Sequence, residues 1–325
     1  MEKQLYLSLA ATKRIYDIAA VEKALAQMDV KENPALVRAY RKMVEKGADR
    51  YLMKPTSISA LDWLYEACPN FSPVLDDLKK YLHLAIFGNG LLNFMPIMLA
   101  GDPGVGKTHF AECLADALGT EFCNVSMQNV TAGWVLSGAA PTWSGAKMGK
   151  VASKLLEGPL ANPVFLCDEL DKAGGQQFPA SAPLYDLLEP RTNHRFVDEF
   201  LDLTVDASAL TWVATANDLT KIDSTLLDRF AIYEVRPPTA DESRRIGQAL
   251  YKRLMSMNGW AFEPELSDNA LNAIAGIPPR SMRKRITDAM GTALVAGRQH
   301  VIADDFHTSN VAKKNKSMGF LANVA

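Results

Sequence analysis

Cysteine is scarce in this chain, long apolar runs are missing, and neither sign of charge dominates. The four cysteines, Cys68, Cys113, Cys123 and Cys167, have none of the paired spacings that ligate zinc or staple a small secreted domain. They read as reduced, mostly buried thiols of a cytoplasmic protein, with Cys113 in a helix and Cys167 in a core strand. No window approaches the roughly eighteen uninterrupted apolar residues of a membrane span, so no membrane partner is expected. The short apolar stretch 5–11 runs straight into Thr12-Lys13-Arg14 and a helical pattern, which argues against a cleaved leader. Lys and Arg number 35 against 37 Asp and Glu, so net charge gives no general pull towards nucleic acid or acidic lipid. Internal repeats and low-complexity tracts are also absent, which excludes a solenoid and a disordered scaffold. What remains is ordinary: 325 residues, 48% hydrophobic and 22% charged, with room for two or three modest domains.

Against this plain background one segment stands out. Gly101, Asp102, Pro103, Gly104, Val105, Gly106, Lys107 and Thr108 fit G-x-x-x-x-G-K-[ST], a loop whose backbone N–H groups cradle phosphates. Lys107 is suited to the β- and γ-phosphates of ATP, and the Thr108 hydroxyl to Mg²⁺. The context supports the motif: 94–100 is a short apolar strand and 109–118 has helical spacing, so a helix N-terminus is aimed at the anion. His109, in the first turn, belongs with the nucleotide-contacting positions. Further on, Val164-Phe165-Leu166-Cys167-Asp168-Glu169 reads as a buried parallel strand ending in two acids. Asp168 suits Mg²⁺, and Glu169 the polarisation of the water that attacks the γ-phosphate.

Short apolar strands at 94–100, 121–126, 163–168, 210–216 and 231–235 alternate with helices, which predicts a parallel sheet covered on both faces. Before them, 11–28 and 35–51 have helical periodicity, with Pro34 at an early helical position. This first section is either a docking arm or an extension that completes the core. A helix over 73–86 leads into the nucleotide domain. After Pro237-Pro238 the pattern gives helices at 239–256, 267–275 and 280–297, and then a short basic tail, Lys313-Lys314-Asn315-Lys316. The expected domains are therefore 1–54, 55–236 and 237–325.

Three more positions complete a constellation. Strand 210–216 ends in Asn217, whose amide suits the attacking water or the γ-phosphate. Arg229, in Leu226-Leu227-Asp228-Arg229-Phe230, lies at a helix end, and in a ring such an arginine reaches the ATP of the adjacent subunit. Arg280, in Gly276-Ile277-Pro278-Pro279-Arg280, opens a helix of the small domain and is placed to close onto phosphates.

With these residues in hand, the chain resembles the AAA+ ATPases, and among them the ATPase module of the Lon-type proteases. The resemblance covers about 70–305 and rests on GDPGVGKTHFAECLADALG, TWSGAKMGKV, NPVFLCDELDK, PASAPLYDLLEP, FVDEFLDL, WVATAND and STLLDRF. It implies an α/β fold: a P-loop AAA+ parallel-sheet domain, a small C-terminal all-α lid domain and a helical N-terminal extension. The same resemblance makes Asp168 and Glu169 the Walker B acids, Asn217 sensor 1, Arg229 the arginine finger and Arg280 sensor 2, with Arg283 the alternative for the last. Lon-type proteases carry a Ser-Lys peptidase domain after the lid, and the sequence to Ala325 holds none, so the expectation is a motor without its own protease activity.

In Lon-type ATPases the segment Thr142-Trp143-Ser144-Gly145 corresponds to a pore loop with an aromatic–aliphatic pair. Trp143 keeps the aromatic and Ser144 replaces the aliphatic partner. Trp143 is either a pore residue, as the flanking Gly138, Gly145 and Gly149 suggest, or a core tryptophan; Trp134 reads as packing. Ala173-Gly174-Gly175-Gln176-Gln177 is placed as a second pore loop. The leading expectation is an ATP-driven homo-hexamer, or other closed ring, that remodels or threads a protein substrate. A nucleic-acid motor or loader is the alternative, with Lys147, Lys150 and Lys154 the only candidates for a basic channel. An ATP-switched scaffold is the third reading.

Overall fold

Five of the apolar segments pair into one parallel sheet, in a computed structural model that describes residues 11–28, 33–130, 132–173 and 179–306. Numbered along the chain, the strands are β1 (Thr12–Arg14), β2 (Asp49–Tyr51), β3 (Ile97–Ala100), β4 (Phe122–Ser126) and β5 (Val164–Asp168). They continue with β6 (Phe196–Asp198), β7 (Leu203–Val205), β8 (Thr211–Ala216) and β9 (Ala231–Glu234). The large sheet has the order β4-β5-β8-β3-β9, and each neighbouring pair is parallel. All of β3 is buried, as are Val164 to Cys167 of β5 and Trp212 to Ala216 of β8. That is why these strands are mainly apolar: both faces are covered, which leaves little place for polar side chains.

The pairing register positions the chemistry. Ala100 is opposite Ala216, and the Gly101 N–H donates to Ala216 O at 3.2 Å, so β3 and β8 end level with each other. The residues that follow β3, β5 and β8 therefore emerge at the carboxyl edge of the sheet, where open α/β sheets bind ligands.

Sheet and N-terminal segment belong to one compact unit, residues 1–64, 71–103 and 107–235. Ile15, Val21, Leu36, Tyr40 and Met43 pack into the same core cluster as Phe165, Trp212 and Leu136, so the N-terminal helices complete that core. The helices are Ile18–Gln27, capped by Asp17, and Pro34–Lys46, where Asn33 Oδ1 accepts from Leu36 N at 3.2 Å and Pro34 sits at the first helical position. Here the structure is shorter in helix than the periodicity predicts. Thr12–Arg14 and Asp49–Tyr51 instead form a two-stranded antiparallel sheet. The second helix stops at Gly47, which takes φ +72°, and the buried Arg50 guanidinium then donates to the carbonyls of Gly47, Asp49, Leu155 and Leu156. A second small antiparallel pair, β6 with β7, has no counterpart in the sequence reading.

The second unit comprises residues 65–70, 104–106 and 236–325. Its helices are Ala240–Asn258, Asp268–Ile274 and Pro279–Val295, around a core that includes Tyr251, Ile274, Met282, Ile286 and Ala289. The first starts at a capping box, Thr239 with Glu242, and ends at Gly259 with φ +65°. Glu242 also accepts two bonds from the Arg236 guanidinium, at 2.6 and 2.7 Å, and this pairing holds its carboxyl down at about 2. The 5–10 part of the N-terminal apolar stretch, residues 174–177 of the second pore loop and the tail at 313–316 lie outside the described residues. Among the described residues no helix is long and apolar enough to cross a membrane.

Candidate nucleotide site

Three glycines of the loop after β3 have positive φ: Gly101 at +154°, Gly104 at +88° and Gly106 at +104°. At Gly101 the requirement is also steric, because a Cβ there would lie 2.3 Å from Val235 O. The chain then enters the helix Lys107–Leu118, whose N-terminal N–H groups are unpaired within the helix and favour an anion.

Four predicted side chains converge on this helix start. Lys107 Nζ donates to Gly101 O at 2.5 Å, to Asp102 O at 3.0 Å and to Asn217 Oδ1 at 2.9 Å. The Thr108 hydroxyl donates to both oxygens of Asp168, at 3.0 and 3.1 Å. Burial pushes the Lys107 ammonium down from its ordinary value, opposed by the carboxylates of Asp171, Asp168, Asp102 and Glu169. A cationic lysine, a hydroxyl and a carboxylate beside a helix start are the donor set for a polyphosphate and a hard divalent cation. These residues fit MgATP: the lysine would hold phosphate oxygens, and Thr108 and Asp168 the metal side.

Glu169 follows Asp168 in a left-handed conformation, φ +57° and ψ +53°, which is unusual for a residue with a side chain. Its N–H donates to Thr215 Oγ1 at 2.8 Å, and the same hydroxyl donates to Asp168 Oδ1 at 2.6 Å. Asp171, buried, accepts from the Asn217 N–H at 3.2 Å. Sequence reasoning missed both Thr215 and Asp171. The first is a polar residue within an otherwise apolar strand end, and the second lies just past the acid pair; each signal is visible only once the site is known.

The other predicted residues have different partners. Arg229 Nη1 donates to Tyr185 O at 2.7 Å and to Glu189 Oε2 at 3.1 Å, and its guanidinium lies 5.5 Å from the Tyr185 ring centroid. His109 has ring nitrogens 3.5 and 3.8 Å from Cys113 Sγ, and Nδ1 is 3.8 Å from a Glu112 oxygen. Arg280 and Arg283 lie in the first turns of the helix Pro279–Val295 of the second unit, where a Cβ built on Gly104 would lie 4.0 Å from Arg280 Cβ. Trp143 is 50% exposed and meets Trp134 edge-on, with ring centroids 5.3 Å apart, so it is a surface residue and not a core one. Lys154, one of the three candidate basic-channel residues, is paired with Glu121 at 3.0 Å.

Asp198 is fully buried, and burial pushes its carboxyl up to about 6 against the lowering effect of N–H bonds from Gly149, Leu201 and Phe200.

Residues 97–237 match the family described as ATPase family associated with various cellular activities (AAA). Lon protease 4 of Sorangium cellulosum is 33% identical over 207 residues, 62% of this chain and 26% of that protein. The Lon protease of Salinispora arenicola is 39% identical over 183 residues, 55% of this chain and 24% of that one. The chain thus spans about a quarter of the length of these relatives. Among solved structures, a Holliday junction branch migration motor, RuvB of Thermotoga maritima, is 19% identical, with TM-score 0.48, covering 73% of this chain and 67% of that one.

Proposed function

We propose, from the match of residues 97–237 to the AAA family and from the 33–39% identity to Lon proteases over 183–207 residues, that the chain is a Mg²⁺-dependent ATPase that works in a closed ring on a protein substrate. The observation that carries the ATPase reading is the convergence of Lys107, Thr108, Asp168 and Asn217 at one helix start. Bound Mg²⁺ would supply charge neutralisation of the phosphates. Lys107 orients the γ-phosphate by exchanging one of its three acceptors, Gly101 O, Asp102 O and Asn217 Oδ1, for a phosphate oxygen, while the others keep its ammonium in place. Glu169 is the base that orients and deprotonates the attacking water, with its backbone fixed through Thr215. Arg229 acts on the neighbouring subunit's nucleotide, and Arg280 on phosphate from the lid. Most of the catalysis is positioning and charge stabilisation.

The protein-substrate reading is supported by Trp143, a half-exposed aromatic on a glycine-flanked loop, which suits sequence-tolerant apolar grip. Net charge near −2 and the pairing of Lys154 do not favour a nucleic-acid channel. The test is steady-state ATP hydrolysis with and without unfolded casein. Glu169→Gln is expected to bind ATP normally and hydrolyse it about 10²–10⁴-fold more slowly. Trp143→Ala is expected to keep the basal rate and lose stimulation by casein. A wild-type rate in Glu169→Gln contradicts the assignment of the base, and stimulation by duplex DNA that falls steeply with salt contradicts the protein reading.

A further inference from the structure

The loop that carries Trp143 runs from Gly138 to Gly149, between the helices Trp134–Ser137 and Lys150–Glu157. Its two ends touch. A Cβ on Gly149 would lie 2.1 Å from Leu136 O and 2.5 Å from Gly138 N, and the Ala139 N–H donates to Lys147 O at 3.1 Å. The loop is therefore closed at a narrow neck, and what holds the neck decides how its tip can move.

What holds it is the β6–β7 hairpin. Asp198, the last residue of β6, points its carboxylate into the neck. Oδ2 accepts the Gly149 N–H at 2.9 Å, while Oδ1 accepts the N–H groups of Phe200 and Leu201, at 3.1 and 3.0 Å, in the hairpin's own turn. Gly138 is bound into the same contact, since a Cβ on it, at φ +84°, would lie 2.7 Å from Asp198 Oδ1. Next to it the Glu199 N–H donates to Ser137 O at 2.7 Å and Ser137 Oγ donates to Glu199 Oε1 at 3.1 Å. A carboxylate is the side chain this joint requires, because it accepts on two sides at once and donates on neither.

We propose that Asp198 is a positioning residue for the Trp143 loop, tying the loop's neck at Gly149 to the β6–β7 turn so that hairpin and loop move as one body. This rests on the proposed grip of Trp143 on protein substrate for its consequence, but the joint itself can be tested without it. Asp198→Asn separates the two sides of the contact. The amide oxygen still accepts the two turn N–H groups, and the amide NH₂ then meets the Gly149 N–H donor to donor.

The experiment is hydrogen exchange on the full chain, with ATPase assays in parallel. In the wild type the Gly149 amide is expected to exchange with the protection of Phe200 and Leu201, because one opening releases all three. In Asp198→Asn, residues 139–149 are expected to exchange at least tenfold faster, with the amides of β3, β5 and β8 unchanged. Basal hydrolysis is expected to stay, and the half-saturating casein concentration to rise. Free exchange of wild-type Gly149 while Phe200 and Leu201 stay protected overturns the proposal, as does an Asp198→Asn protein with wild-type exchange across the loop. Should Asp198→Asn lose protection throughout the sheet, the wild-type comparison alone decides. Should casein fail to stimulate even the wild type, the protein-handling reading falls and the exchange result still stands on its own.

Discussion

A single hydroxyl, that of Thr215, organises both acids of the candidate site. It donates to Asp168 and accepts from the Glu169 N–H, and so holds Glu169 in its left-handed conformation. Thr215→Val keeps the shape and removes both bonds, leaving a backbone N–H without its acceptor. We expect stability to fall by about 1–3 kcal/mol, and kcat for ATP to fall while KM changes little, because the acids and not the phosphate contacts are displaced. A kcat equal to wild type would mean that Glu169 needs no such support. At this scale the sequence is most informative where the chemistry is local. Lys107 and Thr108 are read from adjacent positions because the loop and helix start are one short segment. Thr215 and Asp171 are not, since their roles exist only once β5 and β8 lie side by side.

At the scale of elements, the three central strands of the large sheet, β3, β5 and β8, are legible as mainly apolar runs because burial on both faces leaves little place for polar residues, while the edge strands β4 and β9 are partly exposed. The small sheets are not. β1, β2, β6 and β7 have three residues each, too few for any period to show. β6 even inverts the usual pattern, with Asp198 buried and Val197 exposed, because Asp198 finds its partners in backbone N–H groups. A different acid gives a pH prediction. Glu242 caps a helix and pairs with Arg236, and its carboxyl is lowered to about 2 from 4.5. Its folded value lies below its unfolded one, so the stabilisation is complete above about 4.5 and is lost as pH falls towards 2. Because the Arg236 side chain is 56% exposed, solvent screening reduces this contribution to on the order of 2 kcal/mol. Melting of wild type and Glu242→Gln should differ most at pH 6–7 and converge near pH 2; a gap that widens in acid would contradict the assignment.

At the scale of the whole molecule, the central question is whether the site is completed by a second copy. Arg229 is held here by Tyr185 and Glu189, twelve residues after Asn217. In the ring we propose, it serves a neighbour's ATP, and Glu189 keeps the guanidinium oriented before contact. The most direct measurement is the ATPase rate per subunit against protein concentration, for wild type and Arg229→Ala. The ring account predicts a wild-type rate that climbs with concentration to a plateau, and a loss of roughly 10³–10⁵-fold in Arg229→Ala, the range an arginine finger supplies in NTPases. A rate per subunit that is flat with concentration and indifferent to Arg229→Ala would contradict catalysis between subunits.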